Sequence, residues 1–322
     1  MQKSYTHLIV TGSLSIDRIM NFSGHYKDLI QADKLHVLSL SVLIDGLTNS
    51  RGGTAGNIAY NLALMGQSPV ILGSIGPDAT DYLSDLAKIG VDTSHVHVSH
   101  LPTPTFTVMT DSDDNQIGGF YPGAMSDIGS LTLAPWYNTN SLIIISANDP
   151  TGMDQLVNEC ITHGLDYVYD VGQQTTNITI DQLKLGIENT KMLFVNDYEL
   201  GLIISRTGYS QEQISRMIPV VVTTLGAKGT RITGSTVKKA LTIPAVKNIK
   251  VVDPTGAGDA YRGGFLYGYL NHYNLTTCAS LGSITATYTI SLRGTQTHTF
   301  ALQDIKKQLL KHYGVTIWMI TK

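Results

Sequence analysis

The segment Ile249-Lys250-Val251-Val252-Asp253-Pro254-Thr255-Gly256-Ala257-Gly258-Asp259 is the most informative part of this chain. Its first four residues suit a β-strand, and residues 260–273 after it suit a helix. A strand, a glycine turn and a helix in this order aim backbone N–H groups and the positive helix end, about half an elementary charge, at one point. The segment therefore predicts an anion site in an α/β fold.

The carboxylate of Asp259 stands directly after the turn. Because like charges repel, we expect it to accept the proton of an attacking hydroxyl rather than to bind phosphate, and general-base assistance is worth roughly 10² to 10⁴ in rate. Gly256, Ala257 and Gly258 let a phosphoryl group approach the backbone and predict an anion hole. Considered alone, a helix cap explains Asp259 about as well as a catalytic base.

Short β-branched runs alternate with helical stretches, which predicts an α/β fold with a doubly wound, mostly parallel sheet. The predicted strands are residues 7–11, 70–73, 142–146, 167–171, 192–195 and 220–224. Two stretches instead place strand after strand, which favours antiparallel pairing. We therefore predict a core domain of residues 1–16, 51–94 and 124–322, and a small β-rich lid of residues 17–50 and 95–123 over the substrate site.

Two loops that follow predicted strands suit an ATP site. Asn196 and Glu199 are placed to hold water around a Mg²⁺ ion that binds phosphates, although a helix cap is the simpler explanation of this pair alone. In the second loop, Thr224, Gly226 and Gly229 would admit phosphate or ribose close to the backbone, and a simple β-turn explains them equally well.

The acceptor side is predicted from Asp17, after the first strand, and from the helix start that contains Gly52, Gly53 and Asn57. Asp17 can accept from two neighbouring hydroxyls and Asn57 both donates and accepts, so together they suit a diol that backbone N–H groups of the glycine pair also reach. Taken singly, a turn or cap role explains each of these residues.

Aromatic side chains in the predicted lid suit a flat base. Phe106 and Phe120 stand on strand patterns near Gln116, and rings in such positions can stack on a heterocycle. Packing inside the lid is the alternative, and it is the safer interpretation for Phe106.

Composition excludes several classes of protein. The 322 residues are 42% hydrophobic and 15% charged, and the net charge of −3 comes without a basic stripe, so a polymeric nucleic acid partner is not expected. The apolar runs are far shorter than the roughly 20 residues of a membrane span, and the N-terminus lacks a signal-peptide pattern. We expect a cytoplasmic protein without a membrane partner, with Cys160 and Cys278 as buried thiols.

Other nucleotide-binding motifs do not match. No P-loop sequence and no His-Arg-Asp or Asp-Phe-Gly protein-kinase motif occurs, and Tyr261 stands where a dinucleotide fingerprint has its third glycine.

Gly52-Gly53-Thr54-Ala55-Gly56-Asn57-Ile58-Ala59 and residues 253–259 resemble, in this order, the two signatures of the ribokinase, or PfkB, carbohydrate kinase family. Within the family the chain is more similar to bacterial and archaeal adenosine or nucleoside kinases than to sugar kinases. The resemblance implies a ribokinase-like fold and transfer of the γ-phosphoryl group of ATP, with Mg²⁺, to the 5′-hydroxyl of a ribonucleoside, above all adenosine. It also implies a monovalent cation, K⁺, near Asp253 and Thr255.

Two alternatives stay open at this stage. The acceptor could be a free sugar such as ribose or fructose, or the chain could be a catalytically silent regulator that binds a nucleoside or nucleotide. Either a monomer or a homodimer is compatible with the resemblance.

Overall fold

The structure is a computed structural model that describes residues 3–30, 36, 39–113, 115–127 and 131–317. Its strands are β1 His7–Thr11, β2 Ser15–Asn21, β3 Gly46–Gly52, β4 Val70–Ile75, β5 Val96–Val98, β6 Thr105–Thr110, β7 Gln116–Tyr121, β8 Ser141–Ser146, β9 Asp166–Asp170, β10 Met192–Asn196, β11 Val220–Thr224, β12 Thr230–Thr233 and β13 Leu241–Ile243. Its α-helices are α1 Tyr26–Leu29, α2 Thr54–Leu64, α3 Thr80–Lys88, α4 Pro150–His163, α5 Ile180–Glu188, α6 Asp197–Thr207, α7 Gln211–Met217, α8 Ala257–Leu270, α9 Leu275–Ile290 and α10 Leu302–Tyr313.

The larger sheet has nine strands among the described residues, in the order β13-β12-β11-β10-β9-β8-β1-β4-β5. Every neighbouring pair from β11 to β5 is parallel, and β12 and β13 add an antiparallel edge. The predicted doubly wound, mostly parallel sheet is therefore confirmed. Successive strands depart from β1 in both directions, so the point between β1 and β8 is the switch point at which such sheets bind ligands.

Both faces of this sheet are covered, which explains why its strands are nearly continuous apolar runs. Val10 and Ile144 belong to one buried cluster, while their neighbours Ile9 and Ile143 belong to the cluster on the opposite face.

The smaller sheet has the order β3-β2-β6-β7. β2 pairs antiparallel with β3 and parallel with β6, and β6 pairs antiparallel with β7. A separate β-rich unit from two chain segments was predicted, and the smaller sheet has that composition. One detail is wrong: β5 lies in the stretch assigned to the lid, yet it pairs with β4 at the edge of the larger sheet. The exact division into core and lid stays a prediction.

The strand expected at residues 249–252 is also wrong. The segment is irregular, and the N–H groups of Val252 and Asp253 donate to the carbonyl of Ile290 at the end of α9, at 2.8 and 3.3 Å. Val251 and Val252 are 56% and 46% exposed, and Ile249 and Val251 line the wall of a cleft instead of joining a sheet.

Cys160 and Cys278 are buried free thiols, as predicted. In the part of the chain that the structure describes, no helix combines the length and apolar character needed to cross a bilayer.

Candidate active site

The carboxyl ends of β1 and β8 meet the start of α2 at the switch point. The N–H of Ser13 and the hydroxyl of Thr54 both donate to the carbonyl of Ala147, at 3.1 and 3.2 Å. The N–H of Ala55 donates back to the carbonyl of Ser13 at 3.1 Å. These bonds fix the first turn of α2, which carries Asn57, against the edge of the sheet.

The glycine turn before α8 is formed as predicted, although no strand precedes it. Gly256 is the N-cap of α8 with φ 76°, a left-handed conformation that favours glycine. A Cβ atom there would also come within 2.8 Å of the Thr295 side chain. The first N–H groups of a helix have no partner inside it. The N–H of Ala257 donates to the carbonyl of Pro254 at 3.2 Å, so Gly258 and Asp259 present theirs at this end.

The structure rules out the cap interpretation of Asp259. The N-cap is Gly256, and Asp259 is the third residue of α8. Its Oδ2 accepts instead from Nδ2 of Asn57, at 2.8 Å. Oδ1 of Asn57 accepts from Gln296 Nε2 at 2.8 Å, and the Gln296 amide also donates to the hydroxyl of Tyr82. The orientation of the Asn57 carboxamide is thereby fixed, with its N–H edge toward the carboxylate.

A row of lid side chains faces this carboxylate. Asp17 on β2 is the direct cross-strand partner of Phe106 on β6, which in turn pairs with Phe120 on β7. Direct partners share one face of a sheet, and all three residues line the same cleft. Phe106 is 39% exposed there, so the alternative that it packs in the lid core is wrong.

Two predicted acceptor residues do not reach the cleft. Gln116 pairs with Thr110 at the other end of β7, four residues from Phe120 or roughly 13 Å along the strand. Gly52 lies beneath Asp17, where a Cβ atom would come within 2.4 Å of the carboxylate, and its carbonyl accepts from the hydroxyl of Tyr82 at 2.9 Å. Gly53 does line the cleft.

Three cavities adjoin around Asp259 and Gly258. The acceptor cavity, of about 520 Å³, contains Asp17, Gly53, Asn57, Phe106, Phe120 and Asp259. The phosphate cavity, of about 450 Å³, contains Asp170, Asn196, Glu199, Gly258, Asp259 and Arg262. The nucleotide cavity, of about 610 Å³, contains Thr224, Gly226, Gly229, Ala257 and Gly258. Asp259 thus borders the first two cavities, and Gly258 borders the last two.

The two carboxylates of the acceptor cavity have raised pKa values. Burial raises the pKa of Asp259 to about 6, against the opposing charge of Arg262 and the hydrogen bond from Asn57. Burial also raises the pKa of Asp17 to about 6, with a further contribution from the charge of Asp253. Both groups are mostly ionised at neutral pH, and a proton on either costs little free energy.

Asn196 and Glu199 form the capping box that was the simpler explanation of this pair. The N–H of Glu199 donates to Oδ1 of Asn196 at 2.7 Å, and the N–H of Asn196 donates to Oε2 of Glu199 at 2.8 Å. Both residues nevertheless line the phosphate cavity together with Asp170 and Asp197. Carboxylate and amide oxygens are the donors that hydrated Mg²⁺ prefers, so this set fits the ion.

Arg262 is the positive charge of the phosphate cavity. It is only 8% exposed, and its Nη2 forms an ion pair with Oδ1 of Asp170. Burial alone would lower the pKa of Arg262, but the carboxylates of Asp170, Asp259 and Glu199 raise it above its usual range.

The predicted cation residues lie beside the acceptor cavity. Oδ1 of Asp253 accepts from the N–H of Thr255 at 2.9 Å, and Oδ2 accepts from the N–H of Gly294 at 3.0 Å. These two bonds lower the pKa of Asp253 although burial opposes them. Thr255 itself lines the acceptor cavity. A monovalent cation at this place stays a prediction.

Several lining residues were missed from the sequence. Asp170, Gln173 and Gln174 end or follow a strand that was predicted, so the argument used for Asp17 would have found them. Arg262 had a signal too, as a charge one helical turn beyond Asp259 in an otherwise apolar helix. Gln296 lines none of the three cavities, and its bond to Asn57 could not be predicted because only the tertiary fold brings the two residues together.

Known proteins are similar to this chain over nearly its whole length. A model of the pfkB family of carbohydrate kinases matches residues 6–300. A nucleoside kinase of Methanothermobacter thermautotrophicus is 30% identical over 308 residues, which cover 94% of this chain and 98% of that protein.

Solved structures of Burkholderia thailandensis nucleoside kinase are also similar. The complex with inosine has a TM-score of 0.85 and 30% identity, and the match covers 96% of this chain and 100% of that one. The complex with ADP-inosine has a TM-score of 0.83 and 31% identity, and the match covers 98% of each chain.

Proposed function

We propose that this chain, which belongs to the pfkB family of carbohydrate kinases, transfers the γ-phosphoryl group of ATP to the 5′-hydroxyl of a ribonucleoside. Adenosine is the expected acceptor. One observation carries the proposal: Asp259 borders both the acceptor cavity and the phosphate cavity. A base that takes a hydroxyl proton during phosphoryl transfer belongs at such a junction.

On the acceptor side, the ribose hydroxyls would bind Asp17 and Asn57, and the base would stack on Phe106 and Phe120. Asp259 would take the 5′-hydroxyl proton as the oxygen attacks in line. Because the Asn57 amide donates to Asp259, one side chain would connect the group that positions the acceptor with the group that deprotonates it.

On the donor side, the first N–H groups of α8 would bind the phosphoryl group that is transferred. The adenine of ATP would lie in the nucleotide cavity between the irregular segment before α8 and helix α9, against Val246, Ile249, Val251, Pro254, Ala286 and Ile290. Mg²⁺ held by the oxygen donors of the phosphate cavity would shield the phosphate charges. A cytoplasmic location, where ATP is available, is part of the proposal.

The test is ADP formation from ATP with a panel of purine and pyrimidine nucleosides and of free sugars. We expect the highest kcat/KM with adenosine and little turnover with ribose or fructose. Efficient turnover of a free sugar would show that the acceptor is a sugar and not a nucleoside. The absence of turnover with every acceptor would favour a regulator that binds a nucleoside or nucleotide without catalysis.

Phe120→Ala separates the two acceptor classes on a second criterion. Loss of the stacking ring should raise KM for a nucleoside about tenfold, since a base–aromatic stack is worth about 1–3 kcal/mol, and should hardly change KM for a sugar. Ile117→Ala is the matched control, because Ile117 is 49% exposed on the same strand and is not among the residues that line the cleft. Equal effects of both substitutions would exclude stacking on Phe120.

A further inference from the structure

Arg262 is a buried arginine whose ion pair with Asp170 leaves some of its N–H donors without a partner among the described residues. A buried cation is expensive unless its N–H groups are satisfied. Nη2 of Arg262 donates a hydrogen bond to Oδ1 of Asp170, while Nε is buried and has no hydrogen-bond partner among the described residues. The guanidinium also lies 5.7 Å from the centroid of the Phe194 ring. The ring and the single carboxylate fix the plane of the guanidinium and leave part of its donor edge unused.

That donor edge lies beside the proposed anion hole. Side chains of a helix point back toward its N-terminus, and Arg262 follows Gly258 by one turn of α8. Nη1 lies 2.7 Å from the position that a Cβ atom on Gly258 would occupy, so a side chain at this position would displace the guanidinium. Arg262 and Gly258 line the phosphate cavity together.

The guanidinium itself suits an anion, although four carboxylates line the same cavity, namely Asp170, Asp197, Glu199 and Asp259. Asp170 is held by the hydroxyl of Ser146 at 2.7 Å and is committed to the ion pair. A planar guanidinium offers five N–H donors, which match phosphate oxygens better than a lysine ammonium does. Because the guanidinium of Arg262 lies near the N-terminus of α8, its positive charge adds to the partial positive charge of the backbone N–H groups there.

We propose that Arg262 is a phosphate-binding residue of this site, fixed by Asp170, which contacts the phosphoryl group while that group is transferred. The inference rests on the proposed function for the identity of the anion. Its basis is the half-satisfied guanidinium and the contact of that guanidinium with Gly258. Asp170 acts through Arg262 and is a positioning residue.

The experiment compares Arg262→Met with the unmodified chain in two assays. In the first, Kd is measured by calorimetry for ADP and for the ATP analogue AMP-PNP, without any acceptor. We expect a loss of about tenfold for AMP-PNP and less than about threefold for ADP, since one charge-assisted hydrogen bond to the terminal phosphate is lost. In the second, kcat should fall by about 10² or more, the usual effect of removing a donor that stabilises transition-state charge.

Arg206→Met is the matched control. Arg206 is also partly buried and donates to the carbonyls of Thr175 and Ile178, and it lies outside the three cavities. Its loss should lower Tm and leave kcat and both Kd values within about twofold. The same pattern in Arg262→Met, or equal weakening of ADP and AMP-PNP, would overturn the proposal and assign Arg262 a structural role.

Arg262→Lys decides the matter if the methionine variant does not fold. Lysine keeps the buried charge beside Asp170 and lacks the planar fork. A kcat loss of about tenfold or more with selective loss of AMP-PNP affinity supports the contact, and unchanged values overturn it. Because the Kd comparison needs no acceptor, its outcome stands even if no nucleoside is phosphorylated, which would refute the proposed function alone.

Discussion

At the scale of single residues, Asp259 combines a functional advantage with a cost in stability. Its pKa of about 6 lies above the value in an unfolded chain. A carboxyl group with a raised folded-state pKa destabilises the fold at pH 7, because the unfolded chain ionises it more readily. Arg262 and Asn57 offset part of this cost. The same features place the pKa just below neutral pH, where a carboxylate is ionised and still able to take a proton.

Asp259→Asn should therefore abolish phosphoryl transfer and leave Tm equal to or above that of the unmodified chain. The amide has nearly the same shape and cannot accept the hydroxyl proton, so kcat should fall by about 10² to 10⁴. Kd for ATP should change less than about threefold, since the N–H groups proposed to bind the phosphoryl group are unaltered. Substantial remaining activity in a variant with normal Tm would refute the assignment of the base.

The pH dependence of kcat/KM tests the two raised carboxyl pKa values together. The proposed function requires that both Asp17 and Asp259 be ionised, the first to accept ribose hydroxyls and the second to accept a proton. Since both have pKa values of about 6, kcat/KM should rise with pH through that value and become flat above about pH 7. In a plot of log kcat/KM against pH, the acid limb should have a slope between about one and two. The apparent pKa values would describe the two carboxyl groups together and not either residue alone.

Asp17→Asn provides the control for this profile. Its maximal kcat/KM should be lower because the amide binds the diol less well, and its acid limb should have a slope of about one. An unchanged slope would show that Asp17 does not titrate in this range, and a flat profile in the parent chain would contradict a carboxylate base.

At the scale of elements, the sequence predicted the larger strands because burial on both faces leaves apolar runs that are easy to recognise. It misjudged residues 249–252 for the opposite reason: Val251 and Val252 are exposed, Val251 lines a cleft, and an apolar run alone does not distinguish a cleft from a strand. Gln116 was chosen for proximity in sequence to Phe120, but four strand residues separate the two side chains by more than a base can span. The helix starts that carry Asn57 and Asp259 were found because glycine marks them.

Helix α8 carries Asp259 and is held in place mainly by its packing against α9. The packing depends on glycine, since a Cβ atom on Gly264 would lie 2.7 Å from the carbonyl oxygen of Leu281 and 2.9 Å from the Cα atom of Gly282. Gly264→Ala should therefore lower the free energy of unfolding by about 1–3 kcal/mol, the usual cost of overpacking. Urea denaturation measures this change directly.

The same substitution at Gly201 should have the opposite sign. Gly201 is exposed in α6, and a Cβ atom there meets no heavy atom within 4 Å. Gly201→Ala should stabilise the protein by about 0.4–1 kcal/mol, because alanine loses less backbone entropy on folding. If Gly264→Ala were as harmless as Gly201→Ala, close approach of α8 to α9 would not be what fixes the catalytic helix.

At the scale of the whole molecule, the acceptor cavity is built by two sheets that are otherwise separate. Asp17, Phe106 and Phe120 come from the smaller sheet, while Asn57 and Asp259 come from helices packed on the larger one. A nucleoside bound in this cavity would contact both the smaller sheet and the helices on the larger sheet. A ligand stabilises the folded state that it binds. The smaller sheet should therefore be the part of the molecule whose local stability depends most on the acceptor.

Amide hydrogen exchange can test this dependence strand by strand. β7 is exposed along its whole length, so its amides and those of its partner β6 should exchange quickly in the free protein. Adenosine should slow their exchange, and adenosine with AMP-PNP should slow it further, whereas β8 in the buried centre should hardly change. ADP alone should protect the start of α8 and leave β6 and β7 as they are, because the nucleotide cavity lies away from the smaller sheet.

Phe120→Ala should reduce the protection by adenosine, and Ile117→Ala should preserve it. Equal protection of β7 by ADP and by adenosine would mean that a ligand in any of the three cavities stabilises the smaller sheet. In that case Phe106 and Phe120 would not be specific contacts of the acceptor.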